Sequence, residues 1–421
     1  MKENNLPIAI IGNGCAAVEC CRALREHEYS GEIHLFAEGE LPTYNPMLTS
    51  YYAAGKIPYE QLFPHGEHVF AQLDVTVHNN SPVTKLSAAA LILAAQGLDR
   101  FAFSQCLIAT GASVFLPRVP GIDSRRIYTM RTVEDAKRLR KFMAHPPKRA
   151  LVVGASMVGI KVAELLHAAG VRVCLADMDS HVFPLAAHPD CAAVIERRLE
   201  EQGVNLRLSS PLERIEENDK DLLAWFGGSD HPERADILLM CIGVRANTSF
   251  INPGEIEVRQ GVLVNEKMQT SVPGFYAAGD VSMGNNLLSG ENQIIGLWAN
   301  ARRQGYTAGC NMAGSKTQYA GEIPCNITHF MGMDFVGIGD VLNYTDIGTW
   351  HSGSQFAYLF FRDGVLCGAN TINMADKAGV LKNMMVKQLL HPQKQPDNVY
   401  SKPVQQHLFN ELLQKVRGRL K

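Results

Sequence analysis

Three short segments hold the residues whose types and spacing could do chemistry. Gly12-Asn13-Gly14-Cys15-Ala16-Ala17 follows the apolar run Ile8-Ala9-Ile10-Ile11, and Gly154-Ala155-Ser156-Met157-Val158-Gly159 follows Leu151-Val152-Val153. Glycine after a buried strand lets backbone N–H groups and a helix N-terminus close on a pyrophosphate that a side chain would hold off. One such turn is a weak signal; two, each between a strand and a helix, imply two dinucleotides, a flavin and a nicotinamide. The third segment is Thr270-Ser271-Val272-Pro273-Gly274-Phe275-Tyr276-Ala277-Ala278-Gly279-Asp280.

Dinucleotide sites also need a carboxylate at the end of the strand after the glycine turn, where it accepts hydrogen bonds from ribose hydroxyls. Glu38 fills that place for the first turn and Asp177 for the second. At Ser156 the second turn departs from the usual glycine, but serine is small and able to donate to a phosphate oxygen. Asp177 favours the free 2′-hydroxyl of NAD over the 2′-phosphate of NADP. Two unit charges ~4 Å apart interact by up to ~4 kcal/mol at an effective dielectric near ~20. No arginine cluster follows in Met178-Asp179-Ser180-His181 to offset that repulsion.

The elements that must position these residues follow from periodicity. A strand over 8–11, a helix from about Cys15 to His27 with apolar Ala17, Cys20, Cys21 and Leu24 on one stripe, and a strand over 32–36 make one βαβ half-unit. A turn-rich stretch covers 38–46, a mixed segment runs to about Arg100, and Leu107-Ile108-Ala109-Thr110-Gly111-Ala112 reads as a short buried strand ending at glycine. Leu116-Pro117-Arg118-Val119-Pro120-Gly121 is a linker. The second unit repeats the first: a strand, the Gly154 turn, a helix over 157–169, Gly170 as C-cap, a strand over 171–176, and an end near Ile242-Gly243. A helix is expected over about 292–314. Beyond 326, alternating strands (Phe356-Ala357-Tyr358-Leu359-Phe360-Phe361, then Asp363-Gly364 as a turn) and two late helices are expected. The last helix is amphipathic through Val404, Leu408, Leu412, Val416 and Leu420. The expected fold is α/β: two Rossmann-like dinucleotide-binding domains, for FAD (1–112 and 244–325) and NAD (113–243), and a smaller C-terminal α+β interface domain (326–421).

Composition narrows the class. At 421 residues the chain is too long for one ordinary core. A net charge of −2 gives no reason to expect nucleic acid or an anionic membrane as partner. The longest small-apolar run, 88–95, is far short of the ~20 residues a membrane span needs. No secretory or transit signal is read at the N-terminus, so a cytoplasmic protein is expected. The ten cysteines contain no C-x-x-C pair, which argues against zinc ribbons and iron–sulfur clusters in this chain. Cys15 falls at a helix N-terminus, a position expected to lower a thiol pKa, yet it reads as a small residue lining the pyrophosphate turn.

Taken in order, the first turn, Ala109-Thr110-Gly111, the second turn, Ile242-Gly243-Val244-Arg245 and Tyr276-Ala277-Ala278-Gly279-Asp280 resemble the FAD-dependent pyridine nucleotide-disulfide oxidoreductase superfamily. The resemblance implies that Gly12, Gly14, Ala16, Ala17, Glu38, Thr110 and Gly111 serve FAD. Asp280, after Gly279, would meet the ribityl chain, and the following helix with Trp298 would cover the isoalloxazine. NAD(H) would lie on Gly154, Ser156, Val158, Gly159, Asp177 and Gly243. Tyr44-Asn45-Pro46-Met47-Leu48 resembles the nitrite- and rubredoxin-reductase-type members, placing Asn45 and Pro46 beside FAD, although the basic residue usual there is missing. The glutamate usual two positions after the third glycine is here Lys161.

Disulfide reductases of that superfamily carry a redox cysteine near the flavin, and 43–55 contains none. Hydride would therefore pass between NAD(H) and FAD, and electrons would continue to a partner. The run from Glu38 to Pro64 is similar to the FAD-containing subunits of the NADH-dependent phenylglyoxylate dehydrogenase type. That similarity implies iron–sulfur and thiamine-diphosphate partner subunits, which oxidise a 2-oxo acid to an acyl-CoA. The alternatives are a stand-alone ferredoxin or rubredoxin reductase, and a low-turnover flavin scaffold or redox sensor.

Overall fold

Fully apolar strands dominate the centre of each half of the chain, and parallel sheets buried on both faces are the result. The computed structural model describes residues 6–390, which form two compact units: one within Met1–Phe115 and Val244–Glu322, the other within Leu116–Gly243 and Ile323–Lys421. The expected helix over 404–420 lies outside the described residues.

In the first unit a five-stranded parallel sheet runs in the spatial order Phe275–Ala277, Gln105–Ile108, Ile8–Ile11, Ile33–Phe36, Thr76–His78. Strand Ile8–Ile11 is buried along its whole length, as a central strand must be. The chain leaves it to one side for Ile33–Phe36 and later returns on the other at Gln105–Ile108. The crevice beyond their carboxyl ends is therefore a switch point, where open α/β sheets bind ligands. The mixed segment resolves into an antiparallel meander, Val83–Ser87, Ile92–Ala95 and Leu98–Ala102.

The helices Cys15–Glu26 and Trp298–Met312 cross closely on this sheet. Gly305 and Gly309 make that approach possible: a Cβ on Gly305 would run into the Ala16 carbonyl oxygen, and one on Gly309 would lie 2.8 Å from the Ala23 Cβ. Glu19, only 4 % exposed, clamps the pair. It accepts from Arg22 Nη1 at 2.9 and 3.0 Å and from Arg302 Nε at 2.7 Å. The second helix begins later than its sequence pattern suggested. Residues Asn292–Gln293 pair as a strand, and Asn300 holds the incoming Ile295 carbonyl at 2.9 Å.

The second unit repeats the plan with strands Asn205–Arg207, Arg172–Ala176, Arg149–Val153, Ile237–Met240 and Ile127–Tyr128. Helix Met157–Ala168 follows the turn; Gly170, at φ +78°, takes the left-handed position just past its end. A second, antiparallel sheet belongs to the same unit, in the order Cys325–Phe330, Met333–Gly339, Val365–Ile372, Gln355–Arg362, Asp346–Ser352, with helix Ala378–Leu390 after it. Among the described residues no helix is long and apolar enough to cross a membrane.

Three half-buried histidines make the fold acid-sensitive. Burial pushes His65, His78 and His188 below their ordinary value near 6.5; His34 at 2.9 Å adds to the shift at His78, and His181 to that at His188. A base with a depressed folded pKa is protonated more readily in the unfolded chain. Its stabilisation is complete above about 6.5 and is lost as pH falls through 6.5 towards the lower folded values. We expect Tm to fall between pH 7.5 and 5.5, and His78→Gln to remove part of that slope. A flat Tm across this interval would contradict the assignment.

Candidate functional site

The two glycine turns share one geometry. Gly12 and Gly154 sit at φ +98° and +108°, a region that disfavours any side chain. A Cβ on Gly12 would collide with the Ala109 carbonyl oxygen, and one on Gly154 with that of Cys241, each being the residue after the neighbouring strand. Each glycine N–H donates to the strand on the other side: Gly12 to Phe36 O at 2.9 Å, Gly154 to Ala176 O at 2.7 Å. The same register of strand, turn and helix is thus built twice from unrelated side chains.

In the first turn, Gly14 stands at the start of helix Cys15–Glu26 with no side chain capping it, and a Cβ there would meet nothing within 4 Å. Helix Trp298–Met312 likewise begins without a side-chain cap. Two uncapped N-termini in one unit leave backbone donors for anionic ligand groups. Ala16 and Ala17 are buried against the second helix and the sheet, with Ala17 fully enclosed. The wall opposite is fixed by Thr43, whose hydroxyl donates to Asn13 O at 2.7 Å, while Asn13 Nδ2 donates to Leu41 O at 2.8 Å. Glu38 lies exposed just past strand Ile33–Phe36. Asn45 caps the short helix Pro46–Leu48, accepting from Met47 N at 3.0 Å.

Thr110 and Gly111 are held by a residue that sequence reasoning missed. Asn247 Nδ2 donates to Thr110 O at 3.0 Å, the Thr110 hydroxyl donates to Asn247 O at 2.7 Å, and Asn247 N donates to Gly111 O at 3.0 Å. Gln304, buried within its helix, was also missed. It accepts from Gly279 N at 2.8 Å and from the Ser282 hydroxyl at 3.0 Å, fixing the turn that presents Asp280. Asp280 is half-buried, its carboxylate beside Gly296, where an added Cβ would come within 3.6 Å. Trp298 stacks on His65 with ring centroids 6.0 Å apart. His65 Nε2 is sealed from solvent without a hydrogen-bond partner.

Cys15 corrects the expectation of a low pKa. Burial pushes its thiol up to about 12, with the Asp280 and Glu19 charges adding to the rise. The helix N-terminus does not compensate, and the thiol lies 3.9 Å from the Trp298 carbonyl oxygen. It is a small packing group.

The second turn differs in detail. Ser156 caps its own helix, accepting from Gly159 N at 3.4 Å, and its hydroxyl proton goes to Cys241 O at 2.9 Å. Val158 is exposed on the first turn of the helix, and Gly159 packs against the Gly154 carbonyl. Asp177, 8 % exposed, accepts from Ala155 N at 2.5 Å and Asp179 N at 3.0 Å. Its carboxylate is therefore fixed against the glycine turn at the strand end. Arg207, on the adjacent strand, lays its guanidinium over the Phe226 ring at 4.8 Å. Gly243 follows in a left-handed conformation with open space around it. Lys161 donates to Glu164 Oε2 at 2.6 Å and to the His329 carbonyl, so it serves the contact of its helix with the antiparallel sheet.

These features fit two dinucleotides. At both turns the glycines close on neighbouring carbonyls and a carboxylate stands at the second strand end, and in the first unit two uncapped helix ends add donors. Among the described residues no group of three or more His, Cys, Asp or Glu side chains is placed to hold a metal ion.

Known proteins agree with this geometry. The sequence pattern of the pyridine nucleotide-disulphide oxidoreductase family matches residues 6–305. The NADH-dependent phenylglyoxylate dehydrogenase subunit epsilon of Aromatoleum evansii is 28% identical over 388 residues, 90% of this chain and 91% of that one. The rubredoxin-NAD(+) reductase of Pseudomonas putida is 24% identical, covering 89% of this chain and 98% of its own. The water-forming NADH oxidase of Lactobacillus brevis, solved with NADH bound, superposes with a TM-score of 0.87 at 19% identity over 98% of this chain and all of that one.

Proposed function

Since the chain belongs to the pyridine nucleotide-disulphide oxidoreductase family and is an NAD(H)-dependent FAD oxidoreductase, we propose that it is the electron-transfer flavoprotein of a larger complex. It exchanges hydride between NAD(H) and FAD, and electrons between FAD and an iron–sulfur partner. In this reading FAD lies on the Gly12 turn and NAD(H) on the Gly154 turn. The domains follow: residues 1–112 and 244–325 for FAD, 113–243 for NAD(H), and 326–421 as an interface domain. A bound flavin supplies the conversion between two-electron and one-electron chemistry.

The protein's own part is to bind, orient and exclude. The uncapped helix ends at Gly14 and Leu297 and the carboxylate of Asp280 hold the ligand's charged and hydroxyl groups. Thr43, Asn247 and Gln304 keep the surrounding turns rigid, and Asn45, Pro46 and Trp298 wall the ring side. The observation that carries the reading is the thiol-free segment 43–55 combined with the paired turns. With no cysteine in that segment to take the electrons, an external acceptor or donor is required.

The complex we favour is a 2-oxo acid dehydrogenase of the phenylglyoxylate type, in which iron–sulfur and thiamine-diphosphate subunits form an acyl-CoA and this subunit forms NADH. It is supported by the similarity to the Aromatoleum subunit over nine-tenths of both chains. Affinity purification from the native host tests it. Recovery of iron–sulfur and thiamine-diphosphate subunits in fixed stoichiometry is expected. A chain that purifies alone and turns over with rubredoxin would place it with the stand-alone reductases.

Nicotinamide selectivity gives a second measurement. Asp177 is held as an acceptor by two backbone amides, and Arg207 on the adjacent strand lies over the Phe226 ring. Stopped-flow reduction of the flavin is expected to be at least about tenfold more efficient with NADH than with NADPH. Equal efficiencies would remove Asp177 from the ribose site.

A further inference from the structure

The second glycine turn is held from outside its own Rossmann fold. Phe183 N donates to Ala155 O at 2.9 Å, on the same peptide-bearing residue whose N–H goes to Asp177. Phe183 is buried and sits at φ +53°, a strained conformation that is rare for a bulky residue. Such strain persists only where the surroundings fix it. The fixing comes from the antiparallel sheet: the Phe183 ring lies parallel to Phe335 at 4.8 Å and edge-on to Phe330 at 5.8 Å.

The rest of the loop is fastened to the same sheet. Asn370, fully buried, donates through Nδ2 to Ala186 O at 2.7 Å and accepts at Oδ1 from His188 N at 2.8 Å. Gly337 leaves room for the Ala186 carbonyl, which would lie 2.5 Å from a Cβ placed there. His188 Nε2 shares a 2.8 Å hydrogen bond with the Tyr344 hydroxyl. The helix after the turn is tied to the same place, through Lys161 to His329 O and Glu164 to Met331 N. Both flanks of the turn are therefore referenced to one external surface.

We propose that Phe335 and Asn370 are positioning residues for the NAD(H) site: the antiparallel sheet sets the 178–188 loop, and the loop sets Ala155 and Asp177. The proposal rests on NAD(H) occupying the second turn. Affinity for the nicotinamide nucleotide, and preference for the 2′-hydroxyl form, then depend on residues some two hundred positions from the glycines. Binding free energies are reciprocal, so the nucleotide must in turn stabilise the sheet.

Hydrogen exchange on the full-length holoprotein tests this without any substitution. Saturating NAD+ is expected to slow exchange by roughly threefold or more at 154–159, 183–188, 335–339 and 366–372. Protection at 154–159 with none at 335–339 and 366–372 would overturn the proposal. Phe335→Leu and Asn370→Leu give an independent arm. Each is expected to raise KM for NADH about tenfold and to narrow the NADH preference, while the limiting rate of flavin reduction stays within about twofold and FAD content is unchanged. Unchanged KM in both variants overturns the brace if Asp177→Ala raises KM. If Asp177→Ala is also silent and NAD+ protects none of these segments, the nucleotide lies elsewhere and the reading beneath the proposal fails with it.

Discussion

Asp280→Ala is expected to yield folded protein that loses most of its FAD on gel filtration. The carboxylate is half-buried beside Gly296, on a turn whose N–H is fixed by the buried Gln304. A charge-assisted hydrogen bond to a ligand hydroxyl contributes about 1.5–3 kcal/mol, which is roughly 10- to 150-fold in affinity. Asp280→Asn, which keeps the shape and one acceptor, should fall between the two. Flavin fluorescence during titration of the apoprotein measures the constants directly. Stoichiometric FAD at unchanged affinity in Asp280→Ala would remove Asp280 from the ribityl site.

A comparably large effect is expected in what the enzyme does not reduce. Oxidised glutathione and coenzyme A disulfide should be turned over at least about a hundredfold more slowly than one-electron dyes such as ferricyanide. All ten cysteines are unpaired, and all but Cys325 are buried. Burial raises Cys15, Cys21, Cys174 and Cys241 to about 12 and Cys367 to about 11. A thiol at about 12 is thiolate in less than about one part in ten thousand at neutral pH, and only the thiolate attacks a disulfide. Cys15→Ala should retain NADH:dye activity within about twofold. A Cys15→Ala protein that still binds FAD yet loses that activity a hundredfold would put a thiol in the electron path.

The frame of both sites was legible in the sequence because glycine at positive φ, next to a buried strand, has few other uses. Gly12, Gly154, Gly279 and Asp280 announce strand ends by residue type alone. The supporting residues are not legible in the same way. Asn247 meets Thr110 across 137 positions and Asn370 meets Ala186 across 184, and no local periodicity marks such pairs. The start of the second helix was placed too early although Asn292–Leu297 holds Gly296 and two β-branched isoleucines, poor helix formers; a short strand pairing and the Asn300 side chain hold this stretch out of the helix. The helix N-terminus at Cys15 misleads about its thiol for a related reason, although the residue is the small packing group that the sequence suggests. A helix N-terminus is a local feature, whereas the enclosure that raises its thiol comes from Trp298 and the facing helix, far along the chain.

The first unit is discontinuous, and that fixes an order of events on the ribosome. Strand Ile8–Ile11 and its neighbours emerge early, but the edge strand Phe275–Ala277 and the glycine-faced helix Trp298–Met312 come after the whole 116–243 insertion. Until they appear, the face of helix Cys15–Glu26 that Gly305 and Gly309 cover is open and the Asp280 carboxylate does not exist. At about 5–20 residues per second the insertion alone delays closure by roughly ten seconds. Flavin loading is thus a late event in the life of the nascent chain. The paired strands Ala112–Val114 and Val244–Ala246, which bring the two ends of the insertion side by side, are the seam at which the early and late halves are joined.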